Sequence, residues 1–137
     1  MKRQIANLIG VFAMLLATGA NAQTLQVKAN VPFDFVVEKA TMPAGDYSIE
    51  ALSSSSKALT IRNRDAGIQK LTLSNSASSV DFSQETRLVF HRYGDVYFLS
   101  QIWVQGANEG RELRMTRREI ELAKNATPEL VVLAALQ

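Results

Sequence analysis

The chain has 137 residues, with 15 basic against 13 acidic side chains, and it contains no cysteine. Without cysteine, thiol catalysis, zinc–thiolate sites and iron–sulfur clusters are excluded.

The first 22 residues have the pattern of a secretory signal peptide. The start is positively charged, 5–17 is an apolar run, and 20–22 reads Ala-Asn-Ala, the small-x-small pattern that signal peptidase requires. The apolar run is shorter than the ~20 residues of a membrane-spanning helix. We therefore predict cleavage between Ala22 and Gln23 rather than a membrane anchor.

Cleavage leaves a single domain, residues 23–137, and changes its charge. Lys2 and Arg3 account for two of the 15 basic residues, so 13 remain against 13 acidic ones. A neutral domain offers no electrostatic case for nucleic acid as a partner. We expect an exported domain (periplasmic, on the cell surface or extracellular) with no membrane span after cleavage. The sequence does not identify its partner, for which a protein or another envelope component is the candidate.

Four segments after the signal peptide alternate apolar and polar residues with the period of two that is typical of strands. These segments are 31–37, 46–52, 58–63 and 68–74. A polar turn between the last two predicts a hairpin, and the Ser- and Asn-rich stretch 75–85 predicts a long polar connection.

The strongest hairpin signal is Gly94-Asp95, which lies between 87–93 and 96–104. Glycine at the first loop position favours a type II′ turn. In that register Phe90 faces Leu99 and His91 faces Phe98. One face is predicted to carry Leu88, Phe90, Tyr97, Leu99 and Trp103, and the other Val89, Tyr93, Val96, Phe98 and Ile102. Both faces are largely apolar, so either both are covered or one is a binding surface.

A short helix is predicted near the end of the chain. Thr116 and Glu119 fit a capping box, in which a hydroxyl caps the helix and a glutamate follows three residues later. The helix would cover 117–124 and place Ile120 and Ala123 on its inner side.

Two further strands complete the predicted fold. The segment 111–115 alternates and is expected to pair with 96–104, and the apolar end 130–136 is a last strand or, alternatively, a tail helix. Short strands with local connections indicate an all-β fold. We predict a small antiparallel sandwich or barrel of about 7–8 strands with one short C-terminal helix.

Three motifs in this order resemble a group of short exported bacterial proteins that have no known activity. The motifs are V-P-F-x-F from Val31, P-A-G-x-Y from Pro43 and R-Y-G-D-x-Y-F-L from Arg92. The resemblance extends over nearly all of 23–137. It implies a Gram-negative periplasmic or surface setting, and it supplies no activity, cofactor or catalytic residue.

Aromatic and basic side chains on the hairpin form the candidate binding surface. Its members are Arg92, Tyr93, Tyr97 and Trp103. Tyrosine and tryptophan are favoured at recognition surfaces because each combines a large area with a polar group. The same side chains also fill cores, and this alternative stays open.

Catalysis has little support in the sequence. His91 is the only histidine, no nucleophile-elbow motif is present, and the acidic residues are scattered. We predict no catalytic, cofactor-binding or metal-binding residues and a non-enzymatic domain that acts in binding or as an envelope structural component. One alternative is a hydrolase that uses His91. The other is a carrier of an apolar ligand, which would be held between Phe33, Phe35, Phe90, Phe98 and Trp103.

Overall fold

The computed structural model describes residues 24–137, and the predicted signal peptide and its cleavage site lie outside this range. The described part is all-β with one short C-terminal helix, as predicted. The strands are β1 (Gln26–Val31), β2 (Phe35–Val37), β3 (Ala40–Met42), β4 (Gly45–Ala51), β5 (Ala58–Asn63), β6 (Ile68–Ser78), β7 (Arg87–Tyr93), β8 (Val96–Trp103), β9 (Glu109–Leu113) and β10 (Glu129–Ala134), and the helix is α1 (Arg117–Ala123).

The sheet has ten strands rather than the predicted 7–8. The sequence did not predict β1 or β3, and the predicted continuous strand 31–37 is interrupted. β1 ends at Val31 and β2 begins at Phe35, because Pro32 has no N–H to donate to a strand ladder. The polar connection predicted from residue 75 begins later, since β6 runs on to Ser78.

One path of hydrogen-bonded strands, β1-β4-β5-β6-β9-β8, runs through most of the sheet, and β7 and β10 continue it beyond β8. β6 joins its two halves, because its first part pairs with β5 and its last part with β9. Within residues 24–137 the sheet does not close into a barrel. A single bridge between Lys28 and Leu136, with two backbone hydrogen bonds of 2.8 Å, joins its two edges.

The sheet splits along one edge of β8. Near the start of β8, Phe98 pairs with Val36 of β2 in parallel, whereas further along, Gln101 pairs with Glu112 of β9. The other edge of β8 pairs with β7 throughout. Because β2 and β9 occupy successive stretches of the same edge and then diverge, a gap opens between β2 on one side and β9 with β6 on the other.

The main core follows the predicted alternation. Tyr47, Ile49 and Ala51 of β4 are buried together, and so are Leu59 and Ile61 of β5. Burial of one large apolar side chain contributes about 1.5–3 kcal/mol, so these strands supply much of the stability of the fold. The ring of Phe90 contacts the rings of Phe33 and Phe35 edge-on, with centroids 5.0 and 5.5 Å apart.

The β7–β8 hairpin has the predicted turn and register. Phe90 pairs with Leu99 and His91 with Phe98. Gly94 has φ 63°, and among the described residues Glu38 is the only non-glycine residue with positive φ. Positive φ at Gly94 but not at Asp95 matches the type II′ turn.

A β-bulge overturns the predicted faces beyond the middle of the hairpin. The register shifts at Val89/Phe90, so that Ser100 is an extra residue on β8. From this point Ile102 faces the main core with Leu88, and Trp103 turns to the opposite face with Val89. The predicted places of Ile102 and Trp103 were therefore exchanged, because one inserted residue reverses a period of two.

The sequence left open whether the end of the chain is a strand or a helix, and the structure shows a strand. Residues 129–134 form strand β10, antiparallel to β7, rather than a tail helix. No helix in residues 24–137 has the length and apolar character needed to cross a membrane.

Candidate functional site

Helix α1 lies over β7 and β8 and begins with the predicted cap. The Oγ1 atom of Thr116 accepts a hydrogen bond from the backbone N–H of Glu119 at 3.0 Å. Leu122 and Ala123 pack against the buried side chains of Val36, Tyr93 and Phe98. Positions 119, 122 and 123 share one helix face, since residues three and four apart are neighbours.

The prediction for the inner face of the helix is wrong for Ile120 and right for Ala123. Ile120 is 48 % exposed, whereas Glu119 is 3 % exposed and takes the inward position. In a capping box the glutamate reaches back to the cap residue. Here the side chain of Glu119 points instead toward the sheet, where its carboxylate is hydrogen-bonded to two polar side chains of β7.

Glu119 forms a buried network with His91 and Tyr93. The Tyr93 hydroxyl donates to Glu119 Oε2 at 3.0 Å, and His91 Nδ1 lies 2.7 Å from the same oxygen. A carboxylate oxygen accepts, so the Nδ1 proton is donated to it. His91 and Tyr93 are two apart on one strand, and both therefore point to the face that α1 covers.

The environment of Tyr93 favours its neutral form. Burial, the hydrogen bond to Glu119 and the negative charge of that carboxylate together raise the pKa of Tyr93 to about 12. The phenol therefore keeps its proton, and remains a hydrogen-bond donor to Glu119, across the physiological range.

Glu119 also lines the gap in the sheet, where a cavity of about 270 Å³ lies between β2, β6, β9 and the start of α1. We call it the split cavity. Its apolar lining is Val36, Leu73, Phe98, Leu99 and Leu113, its neutral polar lining is Thr72, Ser74, Asn75 and Thr116, and its charged lining is Glu38, Lys57, Arg114 and Glu119. The lining is therefore mixed, with more polar and charged residues than apolar ones. Small-molecule sites combine apolar walls with convergent polar groups that fix the orientation of the ligand.

Glu38 occupies a strained backbone position beside this cavity. It has φ 55° and follows β2 in the two-residue turn to β3, where Val37 pairs with Ala40. Glycine or asparagine is usual at such positions, because other residues adopt positive φ at a cost of about 1–2 kcal/mol. Its carboxylate accepts a hydrogen bond from Thr72 Oγ1 at 3.1 Å and lies 3.9 Å from Lys70 Nζ. Strained backbone is typical of functional sites.

The structure brings together only part of the predicted binding surface. The Arg92 guanidinium lies 5.3 Å from the centre of the Tyr97 ring, which stacks on Phe33 at 3.8 Å. Tyr93 lies on the opposite face, buried under α1. Trp103 shares that opposite face but lies at the far end of the hairpin, where it is 6 % exposed.

The five aromatic residues predicted to hold an apolar ligand lie in three separate clusters. The rings of Phe33 and Phe35 each contact the ring of Phe90 in or against the main core, Phe98 lies under α1, and Trp103 packs with Val89. Of the five, Phe98 alone lines the split cavity.

Sequence reasoning assigned Glu119 only to the capping box and missed its burial and its contacts with His91 and Tyr93, and it missed Glu38 and the split cavity. A signal for Glu119 was present, because Glu119, Leu122 and Ala123 share one helix face and His91 and Tyr93 share one strand face. The sequence therefore allowed the prediction that the Glu119 carboxylate pairs with His91 and Tyr93, because a buried polar group needs hydrogen-bond partners. Nothing in the sequence indicates the split, since it depends on which strands pair with β8.

Among residues 24–137, no three His, Asp or Glu side chains come together as metal ligands. Comparison with protein-family models, with curated proteins and with solved structures gives no match to this chain.

Proposed function

We propose that the chain is an exported domain that acts by binding rather than by catalysis, and that the split cavity holds its ligand. The observation that carries the proposal is Glu119, a carboxylate only 3 % exposed that lines the cavity and is fixed by His91 and Tyr93. Buried carboxylates are costly unless they are hydrogen-bonded. A fixed, buried acceptor beside apolar walls is suited to orienting a small ligand.

The contacts of His91 favour binding over hydrolysis. A hydrolytic triad needs a nucleophile within hydrogen-bond reach of the histidine. Among the described residues, the side chain to which His91 is hydrogen-bonded is Glu119, and the other donor to that carboxylate is Tyr93. The three groups thus hold α1 against the sheet, and no serine takes part in the network.

The strain at Glu38 supports the same site. Glycine in place of Glu38 would adopt the positive φ of this turn without the energetic cost. It would also remove the carboxylate that Thr72 contacts at the cavity wall. A local cost that places a polar group at a cavity is consistent with a binding role.

A fragment screen by NMR tests the binding site. Small alcohols, amines, carboxylates and benzene derivatives at millimolar concentration should shift the amide signals of Phe98, Leu99 and Leu113. Leu73→Trp should abolish these shifts by filling the cavity mouth, because Leu73 is 65 % exposed and lines the cavity. Leu71→Trp is the matched control, since Leu71 is 54 % exposed on the same face of β6 and does not line the cavity.

Equal shifts in the wild type and in Leu73→Trp, or the absence of shifts from every fragment, would overturn the assignment of the cavity.

Export is tested separately by expressing the full chain in a Gram-negative host and fractionating the cells. The proposal expects an exported product whose first residue is Gln23, as the Ala-Asn-Ala pattern predicts. A cytoplasmic product that keeps its N-terminal segment would refute export and leave the binding experiment unaffected.

A further inference from the structure

The charged side chains around the split cavity are separated by depth. Glu119 is buried, whereas Lys57, Arg114 and Glu38 line the same cavity and are exposed. Within residues 24–137 the side chains of Lys57 and Arg114 form no salt bridge. The cavity thus has a buried carboxylate and, at its rim, two cations without an ion-pair partner in the described part of the chain, beside one carboxylate that Thr72 and Lys70 already contact. This arrangement complements a ligand that carries both a cationic and an anionic group.

One carboxylate oxygen of Glu119 is not used by the contacts with His91 and Tyr93. Both hydrogen bonds of its carboxylate end on Oε2, so Oε1 has no partner among the described side chains. Thr72 adds a second acceptor at the wall, since its hydroxyl proton is donated to Glu38 and its lone pairs remain available. An ammonium group has three protons to donate and matches such a set of acceptors.

A cationic group on the ligand would also offset the negative charge of the buried Glu119 carboxylate. The described partners of the Glu119 carboxylate are the Tyr93 phenol and the His91 imidazole, which is an ion-pair partner only when protonated. A ligand ammonium group would add a charged hydrogen-bond donor to this buried carboxylate. The volume of about 270 Å³ lies below the ~300–1,000 Å³ of pockets for drug-sized ligands, so it favours a molecule of amino-acid size.

We infer that the ligand is a small zwitterion of the free α-amino acid class, with its ammonium group at Glu119 and its carboxylate at Lys57 and Arg114. A short apolar side chain would then contact Val36 and Phe98. This inference rests on the proposed function, because it names the ligand class of the same cavity.

Three related probes test the inference. L-valine carries both charges, isobutylamine is the same skeleton without the carboxylate, and isovalerate is the skeleton without the amine. In NMR titrations of the wild-type domain, L-valine should shift the signals of Phe98, Leu99 and Leu113. Isobutylamine should bind at least about tenfold more weakly, and isovalerate should not bind, because each lacks a charged contact.

Two variants locate the charged ends. Glu119→Gln should weaken L-valine at least about tenfold and Arg114→Gln several-fold, whereas Arg117→Gln should leave its affinity unchanged, since Arg117 is exposed and does not line the cavity. If Glu119→Gln does not fold, the comparison of Arg114→Gln with Arg117→Gln still decides the outcome.

Isovalerate that binds as tightly as L-valine would overturn the inference, and so would L-valine affinity that is unchanged in both cavity variants. If none of the three probes binds but neutral fragments bind to the wild type and not to Leu73→Trp, the zwitterion is refuted and the proposed function stands. If no probe or fragment binds, both are refuted.

Discussion

The two faces of the β7–β8 hairpin are covered in different ways. The core face, which carries Leu88, Phe90, Leu99 and Ile102, packs against the main core formed by most of the sheet. The helix face, which carries His91, Tyr93 and Phe98, is covered at this end by a single helix of seven residues. A short helix buries little apolar area, so its attachment depends on a few specific contacts.

This difference in cover explains why the buried polar network lies on the helix face rather than on the core face. On the core face, the packed side chains are apolar and are stabilised mainly by the area they bury. On the helix face, the cluster of Val36, Tyr93 and Phe98 is small, and the buried carboxylate of Glu119 fixes α1 through two hydrogen bonds. We therefore expect core-face substitutions to change mainly the global stability, and helix-face substitutions to change mainly the position of α1 and the split cavity.

The largest effect is expected on the core face. Phe90→Ala should lower the free energy of unfolding by about 3–5 kcal/mol, because Phe90 is fully buried and contacts the rings of Phe33 and Phe35. Urea denaturation followed by tryptophan fluorescence measures the change. Val132→Ala on β10 is the control, expected to change stability by about 0.5 kcal/mol or less, since Val132 is 51 % exposed. A loss below about 1 kcal/mol for Phe90→Ala would contradict the account of the core face.

The helix face gives the second effect, through two adjacent residues of α1. Glu119→Ala should cost about 1–3 kcal/mol, because it leaves the buried hydroxyl of Tyr93 without its acceptor. Ile120→Ala should change stability by about 0.5 kcal/mol or less, since Ile120 is exposed. Urea denaturation of both variants shows which of the two side chains faces the sheet. A larger loss for Ile120→Ala would restore the sequence-based orientation of the helix.

The third effect is expected at the turn that joins β7 to β8 and so supports both faces of the hairpin. Gly94→Val should cost more than about 1 kcal/mol, because Gly94 has φ 63° and β-branched residues avoid positive φ. A Cβ at this position meets no atom within 4 Å, so the expected loss comes from the backbone rather than from a clash. Asp95→Ala is the neighbouring control. A neutral Gly94→Val in urea denaturation would refute the type II′ turn.

The sequence predicted the elements whose signal is local. β4 and β5 alternate strictly, as predicted for 46–52 and 58–63, and the buried face carries Tyr47, Ile49, Leu59 and Ile61. The Gly94-Asp95 loop specified the register of β7 and β8 up to the bulge. In each case a period of two or a turn residue carries the information within a few positions of the chain.

The sequence did not predict the features that depend on distant pairings. The extra residue at Ser100 exchanged the faces of Ile102 and Trp103, and no turn residue marks this bulge. Glutamate is almost never fully buried unless it is paired, so the burial of Glu119 depends on its partners on β7. The cavity exists because β2 and β9 share one edge of β8, which local sequence does not encode.

The smallest effect concerns the proton of Tyr93 and applies only at high pH. The pKa of Tyr93 is raised from 10.0 to about 12, so folding favours the neutral phenol. Its contribution to stability is complete below pH 10, the unfolded value, and is lost as the pH rises toward about 12. The free energy of unfolding should therefore fall more steeply across this interval in the wild type than in Tyr93→Phe.

Urea denaturation at several pH values between 10 and 12 measures the difference between these two proteins. The pKa of Tyr47, which burial also raises, cancels in the comparison because both proteins contain Tyr47. Ultraviolet absorbance of the phenolate gives an independent check, since Tyr93→Phe should remove a late-titrating tyrosine. Parallel pH dependence in the two proteins would show that Tyr93 does not donate to a buried carboxylate, and the helix face would then depend on apolar contacts, as the core face does.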